Sequence, residues 1–338
     1  MRTLSGALAG ALLTISAGLA QATDISGAGA TFPYPVYAKW AEAYKAETGV
    51  GMNYQSIGSG GGIKQIIART VTFGASDAPM KSEDLEKNGL VQWPQIMGGA
   101  VPAVNLPGIQ PGGITLDGHT IAEIYLGNIT SWNDPQIAAL NKGVNLPDIA
   151  IAPVYRSDGS GTNFLFTTFL SQTDDAFAKN VGANASVQWP AGIGAKGNEG
   201  VANMVRQTQG SIGYVEYAYV KQNKMTFAKL MNSAGKAVEP DSKAFAAAAA
   251  NADWKSAPGY YLILTNQPGA DSWPITGASF ILMPKEPKDP AAAKAAISFF
   301  RWAFEKGGAL ADGLDYVPMP PAVVKSVEEL WQGSIKVN

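Results

Sequence analysis

The sequence predicts an α/β fold with mostly parallel sheets, divided between two domains. Short β-like runs alternate with stretches of helical apolar spacing, the pattern of βαβ units. The length of 338 residues suits two bodies of roughly 100–200 residues each. The 38 Gly and 21 Pro supply many turns and loop-to-helix corners. An apolar content of 46% makes the chain globular rather than disordered. No internal repeat is visible.

Taken in order, Gly27-Ala-Gly-Ala-Thr31-Phe32-Pro33 precedes a helical stretch with Val36, Tyr37, Trp40, Ala41 and Tyr44 on one face. Val50-Gly-Met-Asn-Tyr54 reads as a strand. Ile57-Gly-Ser59-Gly-Gly-Gly-Ile63 then leads into a helix carrying Ile63, Ile66, Ile67 and Val71, and Thr72-Phe-Gly-Ala-Ser76 is the next strand. The alternation recurs with the strand Ile149-Ala-Ile-Ala-Pro-Val-Tyr155, the helix of Leu165, Phe166, Phe169 and Leu170, and the strand Ile212-Gly-Tyr-Val-Glu-Tyr217. Residues 245–250 and 290–306, the latter with Ile297, Phe300, Trp302 and Phe304, read as ordinary packed helices.

Composition removes much chemistry. With 25 basic and 27 acidic side chains a broad basic surface for nucleic acid is not expected. The absence of Cys excludes disulfides, thiolate nucleophiles and Cys-ligated metals, and His119 is the single imidazole. Residues 1–22 read as a cleavable signal peptide: Arg2, a weakly apolar run from Leu4 to Ala20, and an A-x-A site at Ala20-Gln21-Ala22. The expected product starts at Thr23, is exported to the periplasm, and has no later stretch that could span a bilayer.

Three loops share one design, a hydroxyl and bare glycines at a helix start: 27–33, 57–63, and Arg156-Ser-Asp158-Gly-Ser160-Gly161-Thr162. The first N–H groups of a helix lack internal partners and carry the positive end of its dipole, so with Ser or Thr they can cradle an anion. Each loop alone is equally a plain N-cap. Arg156 adds a guanidinium able to hold an oxyanion through two parallel bonds, with Asp158 to orient it; the alternative is a surface ion pair. Asp77, at a strand end before Pro79, is either an Asx turn or an acceptor for an anion that keeps a proton. Phosphate at neutral pH keeps one and sulfate does not, so one carboxylate would separate the two.

Taken together, these motifs resemble the periplasmic phosphate-binding proteins of the phosphate-specific ABC importer, type II periplasmic solute-binding proteins. The resemblance rests on residues 27–33, 58–67, 73–79 and 156–162, and extends through Gly213-Tyr-Val-Glu-Tyr-Ala-Tyr219 and Trp273-Pro-Ile-Thr276 over nearly the whole mature chain. It implies a clamshell of two α/β domains with helices on both sheet faces: domain I from 23–100 and 274–338, domain II from 101–273, with hinge crossovers near 97–105 and 268–279. It implies inorganic phosphate held by Ala30, Thr31, Phe32, Ser59, Asp77, Arg156, Ser160, Gly161 and Thr162, with Asp158 behind Arg156. It also implies a monomer with no cofactor and no catalysis, whose partners are the membrane permease subunits of the importer. Gly60 stands where relatives often carry a second Ser.

Competing readings are a secreted phosphatase-like enzyme and a binding protein for another solute, such as sulfate or a sugar. Gly192-Ile-Gly194-Ala-Lys-Gly197, after Val187-Gln-Trp189, matches a dinucleotide fingerprint, but Pro190 separates that strand from the glycines. Ser233-Ala-Gly-Lys236 matches the S-x-x-K of acyl-serine enzymes yet reads as a polar turn. A Ser-His-Asp mechanism would rest on His119 alone. Eight Trp make sugar stacking conceivable, although Trp40 and Trp302 lie in amphipathic stripes that favour the core.

Overall fold

The computed structural model describes residues 24–337, so the expected signal peptide lies outside the described residues. The chain begins with β1 (Ile25–Gly29), α1 (Tyr34–Thr48), β2 (Met52–Ser56), α2 (Ser59–Ile67) and β3 (Phe73–Ser76). β1 lies between β2 and β3 and runs parallel to both, as the apolar alternation predicts. α2 stops short of the expected Val71. Arg69 takes a left-handed backbone, φ 58°, and its guanidinium closes over the carbonyls of Ile66, Ile67 and Asn88, ending the helix.

After α3 (Ser82–Lys87) comes the longest strand, β4 (Leu90–Val104), buried from end to end. A second series follows: β5 (Thr115–Leu116), α4 (Gly118–Leu126), α5 (Pro135–Leu140), β6 (Ala152–Arg156), α6 (Gly161–Thr173), α7 (Asp175–Asn180), β7 (Ile193–Ala195), α8 (Gly197–Gln207) and β8 (Ser211–Glu216). Here β6 is flanked in parallel by β7 and β8. The strand expected at Val187–Trp189 is absent; the pairing residues are the glycine-rich Ile193–Ala195, while Trp189 stacks on Tyr155 at 5.6 Å. The chain completes with α9 (Tyr217–Gln222), β9 (Thr226–Phe227), β10 (Lys229–Met231), β11 (Ala237–Val238), α10 (Ser242–Ala249), β12 (Thr276–Pro284), α11 (Pro290–Lys306), α12 (Gly308–Asp312), β13 (Val317–Pro318) and α13 (Pro321–Ser334).

The main sheet runs β2-β1-β3-β12-β4-β8-β6-β7. It is mixed. Parallel pairing holds on both flanks, whereas β12 and β4 run antiparallel to each other and to their outer neighbours β3 and β8. β4 serves both flanks: Leu90–Gly99 pair with β12, and Ala100–Val104 pair with β8. The change of partner between Gly99 and Ala100 falls inside the first expected crossover.

Aromatic packing returns the C-terminal segment to the first flank. Tyr37 and Tyr44 of α1 meet Phe300, Phe299 and Trp302 of α11, and Phe300 packs on Phe73 at 4.9 Å and on Trp93 at 5.9 Å. Each fully buried Phe contributes about 1.5–3 kcal/mol, so this cluster fastens α11 to α1, β3 and β4. Seven of the Trp, all but Trp189, are core residues, so those rings are committed to packing and not to stacking on a ligand.

Candidate functional site

In open α/β sheets, ligands bind beyond the carboxyl ends of the strands. Here those ends converge. β1 delivers Ala30, Thr31 and Phe32; β2 delivers Gly58 and Ser59; β3 delivers Asp77; β6 delivers Arg156 and leads through Asp158 to Ser160, Gly161 and Thr162 at the start of α6. Ser59 Oγ accepts from Asp77 N at 3.2 Å and from Gly161 N at 3.0 Å, and the Gly60 N–H donates to Gly159 O at 2.9 Å. Loops from opposite flanks of the sheet are therefore in direct contact. Two glycines are required by that contact. Gly58 has φ 88°, and a Cβ on it would lie 2.3 Å from Asp158 Oδ2; a Cβ on Gly161 would lie 2.5 Å from that of Asp77.

Arg156 is 4% exposed. Its Nε and Nη2 donate to the two carboxylate oxygens of Asp158 at 2.8 and 2.6 Å, a bidentate pair. Burial pushes the Asp158 carboxyl up, but those two bonds and one from Gly197 N outweigh it and hold the group below the usual carboxylate range. The remaining guanidinium nitrogen, Nη1, is buried and has no hydrogen-bond partner among the described residues. Leaving such a donor unsatisfied costs about 1–3 kcal/mol, more when it is charged. An anion in the cleft would remove that cost.

Asp77 is 1% exposed. Its Oδ1 accepts from Ser279 Oγ at 2.8 Å, while Oδ2 has only a long contact of 3.5 Å with Ser59 Oγ. Burial raises the carboxyl to about 7, against the opposing pull of the Ser279 bond, the Arg156 charge and Ser59. The half-satisfied Oδ2 is an acceptor set among donors. An anion that still carries a proton can bond to it, and a fully ionised one meets a like charge.

Several predicted donors are already engaged. The Ala30 N–H donates to Ala75 O at 2.9 Å, and the Gly161 N–H to Ser59 Oγ. Ser160 Oγ caps α6 by accepting from Asn163 N at 3.0 Å, which leaves its own proton free to donate. The Ala30 and Gly161 amides thus help to hold the shape of the cleft, while Arg156 Nη1, the Thr31, Ser160 and Thr162 hydroxyl protons and the Thr31 and Phe32 amides remain available as donors. Two residues of the site carried no individual signal in the sequence. Asn198 sits in the first turn of α8 and donates from Nδ2 to Thr31 Oγ1 at 2.6 Å; Ser279, on β12, bonds Asp77. The glycine motif at 192–197 is what brings Asn198 there. Its Lys196 precedes α8, and the glycines let β7 pair closely with β6.

The other motifs lie elsewhere. Asn232 Oδ1 accepts from Ala234 N and Lys236 N, with Gly235 at φ 69°, so residues 233–236 form a turn between β10 and β11. His119 bonds Asp174 at the C-terminal end of α6, and α6 rises about 20 Å from the cleft to that end. Among the described residues no helix is long and apolar enough to cross a membrane.

A sequence profile of the PBP superfamily domain matches residues 15–306. The chain is 54% identical over 316 residues to the phosphate-binding protein PstS of Pasteurella multocida, covering 94% of this chain and 92% of that one. With the phosphate-binding protein PstS of Haemophilus influenzae it is 54% identical over 317 residues, covering 94% and 95%. Among solved structures, a phosphate-binding protein from Stenotrophomonas maltophilia shares the fold with a TM-score of 0.71 at 21% identity, over 91% of this chain and 93% of the other. PfluDING, a high-affinity periplasmic phosphate-binding protein bound with phosphate, gives 0.70 at 20% identity over 91% and 93%.

Proposed function

The chain belongs to the PstS family of phosphate-binding proteins within the PBP superfamily, and from that premise we propose that its cleft captures inorganic phosphate for uptake. The observation that carries the reading is Arg156 Nη1, a buried cationic donor without a partner among the described residues, in a cleft whose other side holds the half-satisfied carboxylate of Asp77. Phosphate supplies oxygens to Nη1, to the Thr31 and Thr162 hydroxyls and to the amides at Thr31 and Phe32. The Ser160 hydroxyl, whose proton is free, donates as well. Ser59, Gly161 and Ala30 hold the walls, and Asp158 fixes the guanidinium plane. The phosphate proton bonds to Asp77 Oδ2, which leaves sulfate unpaired against a carboxylate.

The two lobes are 23–100 with 274–338, and 101–273. Thr31, Ser59 and Asp77 come from the first, Arg156 and Thr162 from the second. A ligand touching both binds the shut state better than the open one and shifts the population toward closure. The phosphate is released unchanged, to the permease subunits of an ABC importer. We further infer that the chain is exported to the periplasm as a monomer after cleavage behind Ala22.

Calorimetric titration with phosphate, sulfate and a hexose tests the reading. Tight phosphate binding with sulfate weaker by orders of magnitude supports it; equal binding of the two anions overturns it. N-terminal sequencing of the secreted protein tests the cleavage, with Thr23 the expected first residue.

A further inference from the structure

Asn198 is fully buried, and each polar atom of its side chain is engaged. Oδ1 accepts from the Glu216 backbone N–H at 2.8 Å. A backbone N–H can only donate, so this contact fixes which end of the amide is oxygen. The NH2 end consequently faces the cleft, 2.6 Å from Thr31 Oγ1 and 3.3 Å from Thr162 Oγ1. Thr31 Oγ1 also accepts from the Asn198 backbone N–H at 3.0 Å. A hydroxyl oxygen has two lone pairs and one proton. Both lone pairs of Thr31 are met by N–H groups, so only its proton is left to face a ligand, and Thr162 has one lone pair taken by the same amide.

We propose that Asn198 is a positioning residue that sets the polarity of the anion cleft. By donating to Thr31 and Thr162 it turns the Thr31 proton toward the ligand and removes one of the two lone pairs Thr162 could present, so phosphate meets donors there and Asp77 remains the acceptor. Thr31 and Asn198 lie on opposite flanks of the sheet. The hydroxyl is thus oriented only when the flanks meet, which couples donor alignment to closure. The inference rests on the phosphate reading above and adds a residue that touches no part of the anion.

The test is a set of phosphate affinities by calorimetry, with thermal melts on every variant. Asn198→Asp places a carboxylate that accepts from both hydroxyls and turns their lone pairs into the cleft; about a 100-fold loss is expected, the scale of losing bonds to a charged ligand. Asn198→Ala is expected to lose about 10-fold, and that loss should shrink to within about twofold in a Thr31→Val, Thr162→Val background, because coupled groups are not additive. A purely structural role would lower the melting temperature and persist undiminished in that background. Wild-type affinity in Asn198→Asp, or an Asn198→Ala loss that survives removal of both hydroxyls, overturns the proposal. Should Asn198→Asp fail to fold, the non-additivity of Asn198→Ala decides. A wild-type chain that gives no phosphate heat overturns the underlying reading, an outcome distinct from all of these.

Discussion

The two ends of α6 each carry a carboxylate paired with a basic side chain, and only the N-terminal pair lies in the cleft. At the N-terminal end, Arg156 and Asp158 are side chains exposed by 1% and 13%, locked by two bonds. At the other end His119 lies 2.7 Å from Asp174 with 54% of its side chain in solvent, and Asp174 also caps α7 through Phe177 N. Glu123 brings a further carboxylate near that imidazole. The contrast lies in what each pair leaves unsatisfied. The guanidinium has a third nitrogen that is buried without a hydrogen-bond partner among the described residues, whereas the imidazole can turn its remaining nitrogen to water. An ion pair becomes a recognition element when burial strands a donor; otherwise it fastens a helix end.

Substitutions can break or sharpen that contrast. The largest effect belongs to Arg156→Ala. It removes the stranded donor and leaves Asp158 as an uncompensated partly buried charge, so phosphate affinity should fall by at least about 100-fold and stability by about 3–5 kcal/mol, measured by calorimetry and urea unfolding. Arg156→Lys should recover part of the stability and little of the affinity, since an ammonium cannot keep the fork on Asp158 while serving the ligand. Asp158→Asn comes next: the guanidinium keeps its charge but loses its orientation, for an expected loss of about 10-fold in affinity.

Asp77→Asn should act on choice more than on strength. The amide can donate to sulfate, so the preference for phosphate should narrow by about 10-fold or more. The wild-type preference should itself depend on pH, present above about 7 and fading as the carboxyl takes up its own proton below that value. Stability carries the opposite slope. Between the ordinary value of 3.8 and about 7, the ligand-free folded state holds a proton that the unfolded chain has released, so stability falls as pH rises through that window. Unfolding of Asp77→Asn across the same window should lack this contribution.

The smallest effect is at the far end of α6. The Asp174 hydrogen bond raises the His119 imidazole above 6.5, so its support for the fold is full below that value and lost as pH climbs through the raised one. With solvent screening the pair is worth about 0.5 kcal/mol. His119→Ala should remove that much in urea melts under acidic conditions, and little at alkaline pH. Its phosphate affinity should stay within about twofold of wild type.

Much of this site could be read from the chain because it is built from local signals. A strand end, a glycine, a hydroxyl and a helix start are contiguous in 27–33, 57–63 and 156–162, and the α/β rule assembles such corners at one edge. What could not be read depends on the two flanks meeting. Asn198 and Ser279 reach the site from segments whose own patterns, a glycine run and an apolar strand, have sufficient local explanations. The occupied amides of Ala30 and Gly161 are of the same kind, since their acceptors, Ala75 and Ser59, are brought close only by sheet pairing and closure. Periodicity also overran the true end of α2, because a residue such as Arg69, free to turn left-handed and cover the last carbonyls, leaves no mark in an apolar pattern.

The central claim is that the stranded guanidinium nitrogen and the half-satisfied carboxylate oxygen are two halves of one phosphate site. A crystal structure of the chain grown with phosphate tests it most directly. The account predicts a tetrahedral anion with one oxygen within about 3 Å of Arg156 Nη1 and another, bearing the proton, at a similar distance from Asp77 Oδ2. Phosphate bound without touching Arg156 Nη1, or found only outside the cleft, would contradict it.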